Sequence, residues 1–303
     1  MAPETELIGE ILALKKATGA VILAHNYVDG AVQDLADFVG DSLELSIKAR
    51  ELNAPLLLFC GVSFMAETAK VLSFDSTVLL PVPDAGCPMA DQVDNAELAA
   101  YRAEHPGVKL VAYVNTTAKT KALVDVCCTS ANAAKVVSAQ GESKLMFLPD
   151  GNLGRNVGRQ LGRELFFWHG CCPVHDAITP EMVRRAQAEH PGCPVLVHPE
   201  CRPEVVALAD YAVSTGKMLK VVRDDPASGF VVGTECGMLY RLQKENPGKA
   251  FYGLTPQPLC PDMKKITLES VRDALKFRRF EVKLEREVAD AARGSILRML
   301  ELN

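Results

Sequence analysis

No apolar run in this chain approaches the roughly 18 residues that a membrane-spanning helix needs, so an integral helical membrane protein is excluded. Positive charge is not in excess either. Lys and Arg number 33 against 38 Asp and Glu, which leaves a net charge of −5 and a pI near 5.8. That balance argues against a broad nucleic-acid or anionic-membrane surface and leaves room only for a local basic pocket. The N-terminal segment, Met1-Ala2-Pro3-Glu4-Thr5-Glu6, lacks the basic region and apolar stretch of a secretory signal, so a cytoplasmic protein is expected. There is no Gly/Ser linker and no low-complexity segment, so domain boundaries must come from internal repetition. The chain has ten cysteines, but no two are spaced as Cys-x-x-Cys, which removes zinc-ribbon and thioredoxin-type motifs. In a reducing compartment these cysteines point to metal binding or to small buried apolar roles rather than to disulfides.

What is present is ordinary globular composition: 303 residues, 48% hydrophobic and 23% charged, enough for two or three compact units around a sizeable core. Within it a pattern recurs three times. A polar residue is followed 17 positions later by a hydroxyl residue: His25 by Ser42, Tyr113 by Ser130, His198 by Thr215. A cysteine follows that hydroxyl after 45, 42 and 45 positions, at Cys87, Cys172 and Cys260. In the second copy Cys171 is adjacent, and spacing does not separate the two. A Pro after the cysteine is common to Cys87, Cys172 and Cys260, which favours Cys172.

Each copy opens with helical periodicity, over Thr5–Ala17, Ala96–Glu104 and Pro180–Glu189. Apolar runs follow at Ala20–Ala24, Leu110–Ala112 and Pro194–Val197, as expected of buried parallel strands. Helices are expected over Val32–Asp37, Ala118–Asp125 and Pro203–Ala209. Second strands are expected over Leu56–Cys60, Leu145–Leu148 and Gly229–Val232, and a third strand leads to each cysteine. The pattern β-α-β-α-β, three times over, predicts an α/β protein: three homologous parallel-sheet, Rossmann-like units around a pseudo-threefold axis, with a central active site. The units are expected at residues 1–90, 91–175 and 176–265. Residues 266–303 have helical periodicity and are expected to pack on the first unit.

In parallel α/β sheets, ligands bind beyond the carboxyl ends of the strands. All three repeated positions fall at such ends, so one shared site would collect them. Three thiolates suit an iron–sulfur cluster, and with only three ligands one iron stays open as a Lewis acid. Ser42, Ser130 and Thr215 are N-cap residue types, and helix N-termini also hold carboxylates and phosphates. His25, Tyr27, Tyr113, Asn115, His198 and Glu200 supply proton donors and acceptors. Cys60, Cys127, Cys128, Cys193, Cys201 and Cys236 have no counterpart in the other copies and are expected to be buried structural residues. Cys128 and Cys201 lie nearest the expected site.

The segments that carry this pattern resemble the quinolinate synthase family. They include His25-Asn26-Tyr27, Gly40-Asp41-Ser42, Cys60-Gly61-Val62, Ala85-Gly86-Cys87-Pro88-Met89-Ala90-Asp91, Tyr113-Val114-Asn115-Thr116, Cys128-Thr129-Ser130, His198-Pro199-Glu200-Cys201 and Gly233-Thr234-Glu235. The resemblance spans nearly the whole chain. It implies three α/β domains around a [4Fe–4S] cluster held by Cys87, Cys172 and Cys260. It implies condensation of iminosuccinate (iminoaspartate) with dihydroxyacetone phosphate to quinolinate, with loss of phosphate and water, in de novo NAD synthesis. His25, Ser42, Tyr113, Asn115, Ser130, His198, Glu200 and Thr215 match the family's substrate contacts. Tyr27, Glu200, His25, Tyr113 and His198 are the implied catalytic set. A functional link to L-aspartate oxidase or aspartate dehydrogenase is implied, with no nucleic acid and no membrane. The chain departs from some members by carrying Met263 where they have a further cysteine, so thiol–disulfide regulation there is not expected. Other three-cysteine cluster enzymes, such as diphthamide-type radical enzymes or an isoprenoid diphosphate reductase, and a non-catalytic iron–sulfur sensor, are the alternatives.

Overall fold

The computed structural model describes residues 2–52 and 54–302. Among the described residues, twelve strands form three four-stranded sheets, and the strands of each sheet pair parallel to one another. The first sheet holds β1 (Val21–His25), β2 (Phe38–Gly40), β3 (Leu56–Cys60) and β4 (Thr77–Leu79) in the order β2-β1-β3-β4. The second holds β5 (Lys109–Tyr113), β6 (Val126–Cys128), β7 (Leu145–Leu148) and β8 (Phe166–Phe167) in the order β6-β5-β7-β8. The third holds β9 (Val195–Val197), β10 (Tyr211–Ala212), β11 (Gly229–Gly233) and β12 (Ala250–Gly253) in the order β10-β9-β11-β12. The same order three times is the repeat written in space. β3, β7, β9 and β11 are buried along their whole length, which is why they read as continuous apolar runs. Among the described residues no helix is long and apolar enough to cross a membrane.

Each sheet has one strand more than the sequence pattern predicts. The additions, β2, β6 and β10, are edge strands of two or three residues, too short to show a period. The helices expected before them therefore end early, as α2 (Gly30–Leu35), α6 (Ala118–Ala122) and α11 (Pro203–Val206). An aspartate makes the change each time. The side chains of Asp37, Asp125 and Asp210 accept the N–H of Ile22, Leu110 and Val195, all at 2.8 Å. Their own N–H groups donate to the carbonyls of the same three residues at 2.9–3.0 Å. One side chain thus closes the edge of each sheet and sets where the next strand begins.

Of the two C-terminal helices, one packs as expected and the other does not. The helix α15 (Leu268–Phe277) packs on the first unit, against α1 (Ala2–Thr18) and β3. The last helix, α16 (Arg286–Glu301), instead lies on α6 and β6 of the second sheet and reaches α4 (Ser63–Leu72) of the first. Its apolar face of Ala289, Ala292, Ile296 and Met299 joins a core cluster with Leu43, Leu72, Leu110 and Cys127. Ser295 donates to the Lys121 carbonyl at 2.8 Å, and Arg293 donates to the carbonyls of Val71 and Leu72 at 3.0 Å. The coda is a strap between two units rather than a completion of one.

Candidate active site

His25 is the last residue of β1, Tyr113 the last of β5, and His198 follows β9 directly. These strand ends meet around one cavity of about 120 Å³, well above the ~10–15 Å³ that a single water requires. His25, Tyr27, Ser42, Tyr113, Asn115 and Ser130 line it, as do His198, Glu200, Thr215 and the three cysteines Cys87, Cys172 and Cys260. Every residue expected at the site therefore faces the same space. Asn115 Oδ1 is buried there with no hydrogen-bond partner, which marks a place for a donor from a ligand.

The hydroxyl residues do not cap their helices. The helix α3 (Ser42–Leu52) is capped by Asp41, whose Oδ1 accepts from the N–H groups of Leu43 and Glu44 at 3.0 Å. Ser214 caps α12 (Thr215–Asp224), and in the second unit the Thr129 hydroxyl accepts the Ala131 N–H at 3.3 Å. In the first and third units capping falls one residue before the hydroxyl, because the side chain that bonds N2 and N3 must precede the first helical residue. In the second, the helix Ala133–Ala139 starts three residues after Ser130, and Asn132 stands at its N-cap without a side-chain cap bond. Ser42, Ser130 and Thr215 are left to face the cavity. Thr215 accepts from the Asn26 amide at 2.8 Å, and Ser130 bonds His198 Nε2 at 3.1 Å.

The two strand-end histidines share a geometry. Tyr27 N–H donates to His25 Nδ1 at 3.2 Å, and Glu200 N–H donates to His198 Nδ1 at 3.3 Å. Each Nδ1 is an acceptor, so the ring proton sits on Nε2. Burial pushes both rings down to about 3, with His198 adding to the effect at His25. Both are therefore neutral Nε2–H donors near pH 7.

A hydrogen-bond chain then crosses all three units. Tyr27 OH meets Thr234 Oγ1 at 2.7 Å, and Thr234 Oγ1 meets His175 Nε2 at 2.9 Å. His175 Nδ1 lies 2.6 Å from Glu200 Oε2, and Tyr113 OH donates to Glu200 Oε1 at 2.5 Å. Burial opposes the charge on Glu200, but His198, His175 and the Tyr113 hydroxyl hold its carboxyl well below the usual range. Burial and Glu200 together raise the phenols of Tyr27 and Tyr113. A carboxylate with two strong donors, between two neutral phenols, is a proton-handling assembly.

The cysteines arrive on three separate loops. Cys172 and Cys260 stand before short helices begun by proline, α9 (Pro173–Asp176) and α14 (Pro261–Lys264). Cys171 lines a surface cleft with Trp168 and His169, whereas Cys172 lines the cavity. Burial pushes the Cys87 thiol up to about 12, the Cys172 thiol well above its usual value, and the Cys260 thiol upward. Left alone these thiols stay protonated; a cationic centre between them would reverse that. Three soft donors from three loops around one space fit a thiolate-bound metal group. Cys172 Sγ, His175 and Glu200 also lie within 4.8 Å of one another. Both His175 nitrogens are already engaged, by Glu200 and Thr234, so that trio reads better as part of the hydrogen-bond chain. None of the other cysteines lines the cavity, Cys128 and Cys201 included, and all ten are free thiols.

Four residues at or beside this site receive no individual role from sequence reasoning: Asp41, His175, Thr234 and Glu235. His175 had a usable signal, since it lies three residues after Cys172 and so one helical turn away. Glu235 lines the cavity from the end of β11 and differs from the other two copies in residue type.

Comparison with other proteins agrees with the geometry. A model of the family described as Quinolinate synthetase A protein (NadA) matches residues 9–301. The quinolinate synthase of Methanoregula boonei is 50% identical over 293 residues, covering 97% of each chain. That of Thermodesulfovibrio yellowstonii is 49% identical over 296 residues, covering 97% of this chain and 98% of the relative. That of Geotalea uraniireducens is 47% identical over 299 residues, covering 99% and 98%. With three units of one topology, a shared cavity at their strand ends and likeness along nearly its whole length, this chain belongs to the Quinolinate synthetase A family.

Proposed function

We propose that this protein is a cytoplasmic quinolinate synthase that condenses iminosuccinate with dihydroxyacetone phosphate, with loss of phosphate and water, in NAD biosynthesis. Cys87, Cys172 and Cys260 would hold a [4Fe–4S] cluster, which would supply Lewis-acid chemistry at a substrate oxygen. The protein's own groups do the rest. The hydroxyls of Ser42 and Thr215, each the first residue of its helix, and of Ser130 in the turn before Ala133–Ala139, hold the carboxylates and the phosphate. Asn115 Oδ1 accepts from the substrate nitrogen or a hydroxyl. The Nε2–H groups of His25 and His198 donate to substrate oxygens and stabilise charge that develops there. Glu200 takes protons as the carbon–carbon and carbon–nitrogen bonds form, and Tyr113 and Tyr27 return them at the two ends of the chain through His175. The apolar wall of Val62, Phe64, Met65 and Met263 limits water around the reactive imine. Iminosuccinate would come from an aspartate-oxidising enzyme of the L-aspartate oxidase or aspartate dehydrogenase kind.

The observation that carries this reading is one cysteine from each unit on the wall of a cavity that also holds the Glu200 chain. The test is an anaerobic assay of iron-reconstituted protein with the two substrates alone. Quinolinate and phosphate should appear in equal amounts without S-adenosylmethionine or an electron donor. Requirement for either addition would move the protein to another three-cysteine cluster chemistry.

A further inference from the structure

The loops that carry the three cysteines are tied to their sheets in one repeated way. Ser63 N–H donates to Ala85 O, Gly151 N–H to Gly170 O, and Cys236 N–H to Pro258 O, at 2.7–2.8 Å. Each acceptor stands two residues before a site cysteine, and each donor stands one residue after Val62, Asp150 or Glu235. These last three positions are therefore equivalent. Asp150 and Glu235 are buried, at 0% and 1% exposure, and both are carboxylates. Asp150 Oδ2 accepts the N–H of Cys172 at 3.3 Å, while its Oδ1 caps α8 (Gly151–Leu161) through Leu153 N–H at 2.8 Å. Glu235 Oε1 accepts the N–H of Cys260 at 3.1 Å, while its Oε2 accepts from Gly237 N–H at 2.7 Å. Val62 has no acceptor to offer Cys87.

We infer that Asp150 and Glu235 are positioning residues that seat Cys172 and Cys260 and withhold those cysteines' amides from the metal group. The inference rests on the cluster reading above. A buried carboxyl is costly unless its oxygens are bonded, and here one oxygen of each is committed to the amide of a site cysteine. Amide hydrogen bonds to cluster sulfurs are among the levers that set reduction potential. Turning two of the three cysteine amides toward carboxylates removes donors from the sulfurs and keeps the group hard to reduce. That suits a reaction that needs a Lewis acid and no electron transfer. The asymmetry assigns Cys87 a different environment from its two partners. Glu235 is further clamped by Lys264 Nζ, 3.0 Å away, which also bonds the carbonyl of Tyr27 and so joins the Cys260 loop to the Tyr27 loop.

The test compares wild type with Asp150→Ala and Glu235→Ala after anaerobic iron–sulfide reconstitution. It reads iron per chain, the half-life of the visible absorbance under a ferrous chelator, and the midpoint potential. Each variant should lose absorbance about 10-fold faster or more, as expected when a group that orients metal ligands is removed. Its midpoint should move to more positive values. Half-lives and midpoints equal to wild type, in variants with unchanged far-UV circular dichroism, would overturn the inference while leaving the cluster reading intact. A wild-type chain that takes up no iron would overturn both. Should the alanine variants fail to fold, Asp150→Asn and Glu235→Gln keep the shape with a weaker acceptor. They should show intermediate half-lives, and wild-type half-lives in them would likewise overturn the inference.

Discussion

His175 Nδ1 lies 2.6 Å from Glu200 Oε2 and 3.3 Å from Cys172 Sγ, so one buried imidazole touches both the carboxylate and a thiol of the site. Its other nitrogen reaches Thr234, which in turn meets Tyr27. Proton handling and cysteine placement are therefore joined through a single side chain on α9. Separating them experimentally needs a substitution beyond the imidazole, at the carboxylate.

Glu200→Gln keeps the size and the bonding positions but removes the proton acceptor. The reconstituted variant should retain wild-type iron content and visible absorbance while turnover falls by about 10²–10⁴-fold, the usual scale of acid–base catalysis. Quinolinate output at the wild-type rate would take Glu200 out of the proton path.

The adjacent cysteines make a paired test. Cys171 faces a surface cleft, and its backbone N–H donates to Gln92 Oε1 at 2.8 Å. Cys171→Ser should bind iron and turn over like wild type. Cys172→Ser should lose most iron and all activity together. Iron analysis on the two proteins, prepared side by side, decides between them; the reverse result would put the second ligand at position 171.

The aspartates that close the sheets bear on stability alone. Asp125→Ala strands the buried N–H of Leu110 and removes the ion pair to Arg102, which is exposed and worth little. Urea unfolding should show a loss of about 1–3 kcal/mol, the cost of an unsatisfied buried donor. Asp37→Ala and Asp210→Ala should fall in the same range, since their bonds to Ile22 and Val195 are equivalent. Widely different losses would show that the repeat is not energetically even.

Lys121 is fully buried, bonds the Thr116 carbonyl and sits 5.4 Å from the Phe64 ring centre. Burial pulls its amine down to about 8 from 10.5. The unfolded chain therefore binds the extra proton between those values. The charging penalty is fully present below pH 8 and disappears as pH rises to about 10.5, so this group makes the fold more stable across that window. Relative to Lys121→Met, wild type should gain about 3 kcal/mol between pH 7.5 and 10.5. A constant difference between the two proteins over that range, measured by urea unfolding, would show the amine to be unshifted.

The threefold repeat was readable because strand-end residues recur at fixed spacing, and spacing survives folding. The buried strands were readable from their continuous apolar runs. The edge strands β2, β6 and β10 were not, since two or three residues carry no period and are created by pairing with a neighbour and by the aspartate clamp. The path of α16 was hidden for a related reason: an amphipathic helix announces that it has an apolar face, but not which unit will cover it. Likewise Ser42 and Thr215 were found as hydroxyls at helix starts, yet the capping bonds belong to their predecessors Asp41 and Ser214, a one-residue distinction that backbone geometry makes.

The sequence by itself determined the α/β class, the three copies and twelve of the side chains that line the cavity, because each of these follows from residue type at a fixed interval along the chain. Tertiary structure alone decided what those side chains do to one another. It set Cys172 and not Cys171 on the cavity wall, put the protons of His25 and His198 on Nε2, and brought His175 and Thr234 between Tyr27 and Glu200. It also gave Asp150 and Glu235 the amides of two site cysteines. The histidine tautomers rest on bonds to residues two positions on, at 3.2 and 3.3 Å. The other contacts join residues far apart in the chain at 2.7–3.3 Å, and no periodicity along one sequence encodes a distance between its distant parts.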